Sequence, residues 1–286
     1  MNKDDLFKFL DDDGPTEEDY KPLRSPFGYP GNKFRSLDQI LPRLPYYDNY
    51  VEVFGGTGSV LLNRKPSKFE VFNDRHSGIV AFYYCVQDSK LLDQLIEKVK
   101  LTVHAREFWL WCHNTWEKQE DVVDRAFRWY YTIRYSFAQK GDAFGRLKKG
   151  GIVAGRITSA LPDFWTIHDR LKRVQIENMD WLRCLRDYDS SNTVFYLDPP
   201  YIDRPVYKGG NIDHKKLLAT IFDMEGYVAL SGYSSDMYDQ LPWDEVHEWQ
   251  VNDQIAAMGT NELSRSGAMN NLRTKVKERL WIKYET

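Results

Sequence analysis

The run Thr193-Val194-Phe195-Tyr196-Leu197, followed at once by Asp198-Pro199-Pro200-Tyr201, constrains the fold more than any other stretch. Its β-branched and aromatic residues, entered from the turn-like Asp187 to Asn192, read as a buried strand. Two prolines cannot continue a sheet ladder, so the strand stops at Leu197. The result is an acid, a stiff backbone and an aromatic ring at the carboxyl end of a strand. In open α/β sheets ligands bind along that edge. Alone, a Pro-Pro pair reads as a turn, and its meaning depends on its surroundings.

Those surroundings repeat a strand, turn and helix. Tyr50 to Phe54 reads as a strand, Gly55-Gly56-Thr57-Gly58-Ser59 as a glycine turn, and Val60 to Asn63 as a helix start. Glycines let a backbone approach a ligand, and the helix start offers free N–H groups. The turn is not the dinucleotide fingerprint, because Leu61 stands at the third glycine position. A second strand, Lys68 to Phe72, ends in Asn73-Asp74. An acid there suits ribose hydroxyls or, alternatively, caps the helix-like run Gly78 to Val86. The rhythm resumes at Val174 to Asp180, Trp181 to Arg186, the opening strand, His214 to Phe222, Tyr227 to Ser231 and Ser235 to Leu241. Val246 to Val251 and Lys277 to Tyr284 alternate and read as an antiparallel hairpin at the sheet edge. Upstream, Pro26 to Lys33 is a Gly/Pro loop carrying Tyr29 and Lys33, ahead of a helix-like stretch from Ser36 to Leu44. A ring and an ammonium on such a loop can meet a flat ligand and a carboxylate. The bland alternative is a surface turn.

Between about 76 and 175 helical patterns replace the βα rhythm, which predicts an inserted domain. Residues 104–176 hold 13 basic and 8 acidic residues, and five of the nine Trp. The densest part, Arg134 to Arg156, carries Arg134, Lys140, Arg146, Lys148, Lys149 and Arg156 against Asp142 alone, on a glycine-rich loop. Such a loop can follow a phosphate backbone, although charge runs also serve as solvated surface and Trp as core. The net charge of −3 conceals this, because eight acids crowd into residues 1–20 against Lys3 and Lys8. Without that segment the chain is +3, from 37 basic and 34 acidic residues. Residues 1–22 read as an acidic flexible tail. Cys85, Cys112 and Cys184 are too scattered for a disulfide framework or metal site. No apolar run has the length of a membrane span and no signal peptide opens the chain, so the expected location is the cytoplasm.

Taken in order, these blocks resemble a Dam-like family of DNA adenine-N6 methyltransferases. Tyr29-Pro30-Gly31-Asn32-Lys33 resembles its N-terminal cofactor motif, with Tyr29 for the usual Trp and Asn32 for Gly. Val51 to Val60 resembles its glycine motif, Asn73-Asp74 its ribose-binding acid, and Asp198-Pro199-Pro200-Tyr201 its catalytic motif. Ser231-Gly232-Tyr233 and the last strand also fit, so the resemblance covers about 23–286. It implies a Rossmann-like α/β sheet with a C-terminal antiparallel edge hairpin, formed by 23–75 and 176–286. The mainly helical insertion, 76–175, would recognise the DNA target. S-adenosyl-L-methionine would be held by Tyr29, Lys33, Phe54, Gly55, Gly58, Asp74, Asp180 and Asp198. Asp198, Pro199 and Tyr201 would act on a flipped-out adenine of double-stranded DNA at a GATC-type site, with no metal and no membrane, the protein being a monomer or weak dimer. Other readings are methylation of RNA adenine, cytosine N4 or protein glutamine, a nicotinamide-dependent dehydrogenase, and a DNA-binding module without catalysis.

If the basic loop follows DNA phosphates, substituting Lys148 and Lys149 weakens binding and flattens its salt dependence. An unchanged slope of log K against log salt places the loop away from DNA.

Overall fold

The computed structural model describes residues 22–29, 31–145, 155–202, 212–252 and 275–285. Its frame is a 7-stranded sheet of β1 (Asn49–Glu52), β2 (Phe69–Asn73), β3 (Val174–Glu177), β4 (Thr193–Leu197), β5 (Tyr227–Tyr233), β6 (Glu245–Asn252) and β7 (Lys275–Lys283). The order is β3-β2-β1-β4-β5-β7-β6. The first five strands are parallel, and β7 runs antiparallel to both β5 and β6. The α/β sheet and its antiparallel edge are thus as the sequence predicts. β4 ends where the prolines require it to.

The strand order reverses between β1 and β4, which pair in register with Glu52 opposite Tyr196. β1 continues to β2 on one side, while β4 continues to β5 on the other. The chain segments leaving the two carboxyl ends therefore diverge and leave a crevice between them.

Alternation along the strands sends side chains to two faces, each with its own core. Val51, Val53, Val71, Phe195, Leu197, Val228, Leu230 and Trp281 form one, covered by α7 (Trp181–Tyr188) and α8 (His214–Phe222). Tyr50, Phe72, Val194, Tyr196, Ala229, Leu280 and Ile282 form the other. That second face meets the helical segment: α2 (Ser77–Gln87), α3 (Ser89–Lys100), α4 (Arg106–Thr115), α5 (Val122–Arg134) and α6 (Leu161–Leu171). α2 packs on α3, α5 and α6, and α5 on α4. The helical segment therefore shares one continuous core with the sheet. Trp109, Trp116 and Trp129 are buried in that core, whereas Trp111 and Trp165 are exposed.

The helix-like stretch from Ser36 to Leu44 is helical but broken into three short pieces, the 3-10 helix Lys33–Ser36, one α-helical turn Leu37–Ile40 and the 3-10 helix Leu41–Arg43, the last with a proline in its first turn. No helix among the described residues is long and apolar enough to cross a membrane.

A buried ion cluster ties α6 to β2. Glu70 accepts from Arg64 Nη1 at 2.9 Å and from Arg170 Nη1 and Nη2 at 2.5 and 2.9 Å. Glu70→Ala leaves two guanidinium groups without their carboxylate and is expected to cost about 3–5 kcal/mol. Urea unfolding checks this, and a loss below about 1 kcal/mol would show the cluster to be surface-like in energy.

Candidate active site

A cavity of about 310 Å³ opens at the crevice between β1 and β4. Its walls come from the Tyr29–Lys33 loop, from Glu52 to Val60, from Asn73 to His76, from Met179 and Trp181, and from Tyr196, Asp198 and Pro200. Sheet alternation explains the floor. Tyr50, Tyr196 and Ala229 belong to the core on the helical face, and Glu52 and Asp198 follow in the same parity.

The loop and the catalytic-type motif meet at a buried ion pair. Lys33 Nζ donates to Asp198 Oδ2 at 2.6 Å, to the Tyr201 hydroxyl at 2.8 Å and to the Gly31 carbonyl at 2.9 Å. Glu278 Oε1 on β7 lies 3.4 Å from the same nitrogen and accepts the Tyr201 O–H at 2.9 Å. Asp198 Oδ1 accepts from Ser231 Oγ at 3.1 Å. Burial pushes the Lys33 pKa down, but the Asp198 and Glu278 carboxylates outweigh it and hold the ammonium above its usual range. For Asp198 burial dominates and raises the carboxyl, Lys33 opposes this, and Glu278 adds to it. Sequence reasoning aims Lys33 at a ligand carboxylate. The structure aims it at Asp198, because a buried ammonium needs nearby counter-charge. A lysine has three donors, and these three short contacts use them.

Asn32 fixes the loop. Its side-chain oxygen accepts from Phe34 N–H and from Ser59 Oγ, both at 2.8 Å, and so joins the loop to the start of α1 (Ser59–Asn63). Tyr29 lines the cavity and meets the His76 ring edge-on at 6.4 Å. Phe54 and Gly55 also line it. A Cβ on Gly55 would lie 2.3 Å from the Phe72 ring, so only glycine fits there. Gly56 has φ +51° and open space where a side chain would project, which bares its backbone to the cavity. Gly58 stands off the wall. Its φ of +63° instead shapes the turn that caps α1.

Asp74 lies on the wall, but its carboxylate is already engaged: Oδ2 accepts from Gly56 N–H and Oδ1 from His76 N–H, each at 2.7 Å. Burial raises its pKa to about 6 against these two donors. Asp180 differs from expectation. It is exposed and caps α7 through Leu182 N–H at 3.0 Å, while its neighbours Met179 and Trp181 face the cavity. Pro199 is buried and Pro200 is on the wall. Tyr201 is nearly buried, with its ring 4.5 Å from that of Tyr233.

The basic candidates are only partly placed. Arg134 ends α5 and donates to Ser159 Oγ at 2.7 Å. Lys140 follows the turn Phe137–Gln139, within the hairpin closed by the Ser136–Phe144 bridge. Arg146, Lys148 and Lys149 lie outside the described residues, as does the side chain of Arg156. Among the described residues no cluster of His, Cys, Asp and Glu could hold a metal ion.

Glu278, Trp181 and Glu52 are not among the residues the sequence singles out for the site, and Ser231 enters only through the Ser231-Gly232-Tyr233 stretch of the family resemblance. Glu52 also carries a usable signal, as an acid inside an apolar strand. Lys277-Glu278-Arg279 looks in sequence like a solvated edge.

The family model for D12 class N6 adenine-specific DNA methyltransferases matches residues 29–224. The chain belongs to that family. The match takes in the Lys33 loop, the glycine turn, Asp74 and the Asp198 motif, and ends before β5. The chain is also similar to the modification methylase StsI of Streptococcus sanguinis, at 27% identity over 198 residues. That alignment covers 64% of this chain and 29% of that protein.

Glu52 gives a test of the cavity's electrostatics. It accepts from Tyr50 O–H at 2.9 Å and Leu61 N–H at 2.7 Å, yet burial raises its pKa from 4.5 to about 8. A carboxyl raised on folding binds its proton more tightly in the native state, so its contribution to stability is lost as pH rises from about 4.5 to about 8. Glu52→Gln removes that loss. Urea unfolding of both proteins is expected to show the variant gaining on the wild type across this window, by a few kcal/mol at most. A difference independent of pH contradicts the burial argument.

Proposed function

We propose that the protein transfers a methyl group from S-adenosyl-L-methionine to the N6 nitrogen of an adenine turned out of double-stranded DNA. The observation that carries this reading is the placement of Asp198. It sits on a stiff two-proline strand end, beside a cavity also lined by a bared glycine turn and the acid hydrogen-bonded to it.

The cavity suits the cofactor on its own chemistry. Trp181, Met179 and Phe54 offer apolar and aromatic surface for a purine. The Gly56 backbone is open for close approach, and the Asp74 oxygens retain lone pairs for ribose hydroxyls. Tyr29 and the loop around Lys33 would border the methionine end. When bound, the cofactor supplies an electrophilic methyl group.

The chain's residues would prepare the nitrogen. The adenine N6 lone pair is shared with the ring, so the amino group is a poor nucleophile. Asp198, with the Pro199 carbonyl, would accept its two N–H bonds and favour a pyramidal nitrogen. Each Asp198 oxygen has one short partner, Lys33 or Ser231, and so keeps a second lone pair for that purpose. The acceptors help most as positive charge develops on N6, which is stabilisation of the transition state. Proline rigidity keeps them in position.

A second cavity of about 260 Å³ lies across Lys33 from the first, lined by Tyr201, Tyr233, Trp249 and Glu278 among others. Three aromatic rings and polar edges make it suitable for a flipped base. The helical segment 76–175 would hold the duplex through its basic loop and read its base edges. A GATC-type site remains the expectation carried by the family resemblance.

Offered methyl-labelled cofactor with duplex DNA, RNA and protein, the protein should label DNA, and nucleoside analysis should return N6-methyladenine. Label in RNA or protein alone would overturn the assignment. Ribose binding through an ionised Asp74 adds a pH signature: cofactor affinity should weaken below about pH 6, where Asp74 takes its proton. Asp74→Asn should bind weakly at every pH, and an unaltered pH dependence in that variant would place the ribose elsewhere.

A further inference from the structure

We infer that Glu278 is a positioning residue for the reacting carboxylate, acting on Asp198 through Lys33 and Tyr201. The inference rests on the methyl-transfer reading above and extends its site to β7, beyond the residues the family model matches.

Strand geometry turns Glu278 inward. On β7 it pairs with Tyr233 of β5 and Trp249 of β6. Its sequence neighbours serve the opposite face: Lys277 pairs with Glu248, and Arg279 with Asp239 and Glu248. Glu278 is only 4% exposed, and it is held from two sides. Ser36 Oγ donates to Oε2 at 3.1 Å, and Trp249 Nε1 donates to that same Ser36 oxygen at 3.2 Å. Tyr201 O–H donates to Oε1 at 2.9 Å. The Tyr201 oxygen thus gives its proton to Glu278 and accepts from Lys33, which fixes the direction of the chain from Glu278 to Asp198.

Two carboxylates therefore flank one buried ammonium. With Asp198 alone, Lys33 would satisfy its charge on the oxygen that must later accept an adenine N–H. Glu278 shares that ammonium and leaves the trio with a net negative charge, which suits a site where positive charge develops. Among the described residues, the other titratable groups facing the trio are Glu52 and Tyr196 from the sheet floor, Tyr201, Tyr233 and Tyr238.

Glu278→Gln keeps the shape and an acceptor for Tyr201 while removing the charge. We expect kcat on duplex DNA to fall about 10- to 100-fold, as for loss of a charge-assisted hydrogen bond. The Kd for cofactor should stay as in the wild type. The acid limb of kcat should move to lower pH, because a like charge has left Asp198. The Lys33 side-chain titration, followed by NMR without any turnover, should move to lower pH too. Tyr201→Phe should lower kcat as well, and the double variant should be no worse than the poorer single one. Multiplicative losses, or a Glu278→Gln protein with full kcat and an unmoved Lys33 titration, would overturn the inference. If the wild type methylates no DNA, the functional reading fails, while the Lys33 titration still decides whether Glu278 holds that ammonium.

Discussion

The buried contact between Lys33 and Asp198 is the interaction on which the site depends. Removing charges from water is costly, and such pairs persist where geometry and further hydrogen bonds compensate them. Here the compensation comes from four parts of the chain: the loop carbonyl of Gly31, Tyr201 after β4, Ser231 on β5 and Glu278 on β7. The contact draws on both the parallel sheet and its antiparallel edge. The hairpin of β6 and β7 is thus more than a cap on the sheet, since it delivers a carboxylate to the centre of the molecule.

The topology explains why these parts converge. Reversal of strand order between β1 and β4 opens the crevice, and parity places Glu52, Tyr196 and Asp198 on its helical side. The same face receives the helices of residues 77–171, which share a core with the sheet. Displacement of those helices would be felt at the cavity through short links. Trp116 stacks on His76 at 5.2 Å, and Gln139 accepts from Gly28 N–H at 2.7 Å, next to Tyr29.

Much of the fold was legible in the chain, for local reasons. Two prolines after an apolar run end a strand whatever surrounds it, and β4 ends there. His214 to Phe222 is a helix with the limits its pattern suggested, because Asp213 caps it. The candidate site was legible where local pattern restricts the residue, as with Gly55 and Asp198 on the cavity wall. It was obscure where long-range pairing decides. Lys33 could not be assigned to Asp198, because they lie 165 residues apart in sequence. Glu278 sits between two basic neighbours, and only the register of β7 shows that it faces inward. Asp180 was ambiguous because an acid at a strand end serves a ligand and a helix cap equally well in sequence.

Methyl transfer at this site requires Asp198 in the chemical step. The most direct measurement is single-turnover methyl transfer to duplex DNA by Asp198→Ala, with cofactor binding measured on the same protein. The account predicts that transfer is abolished while cofactor binding is weakened or intact. Transfer at the wild-type rate would contradict it.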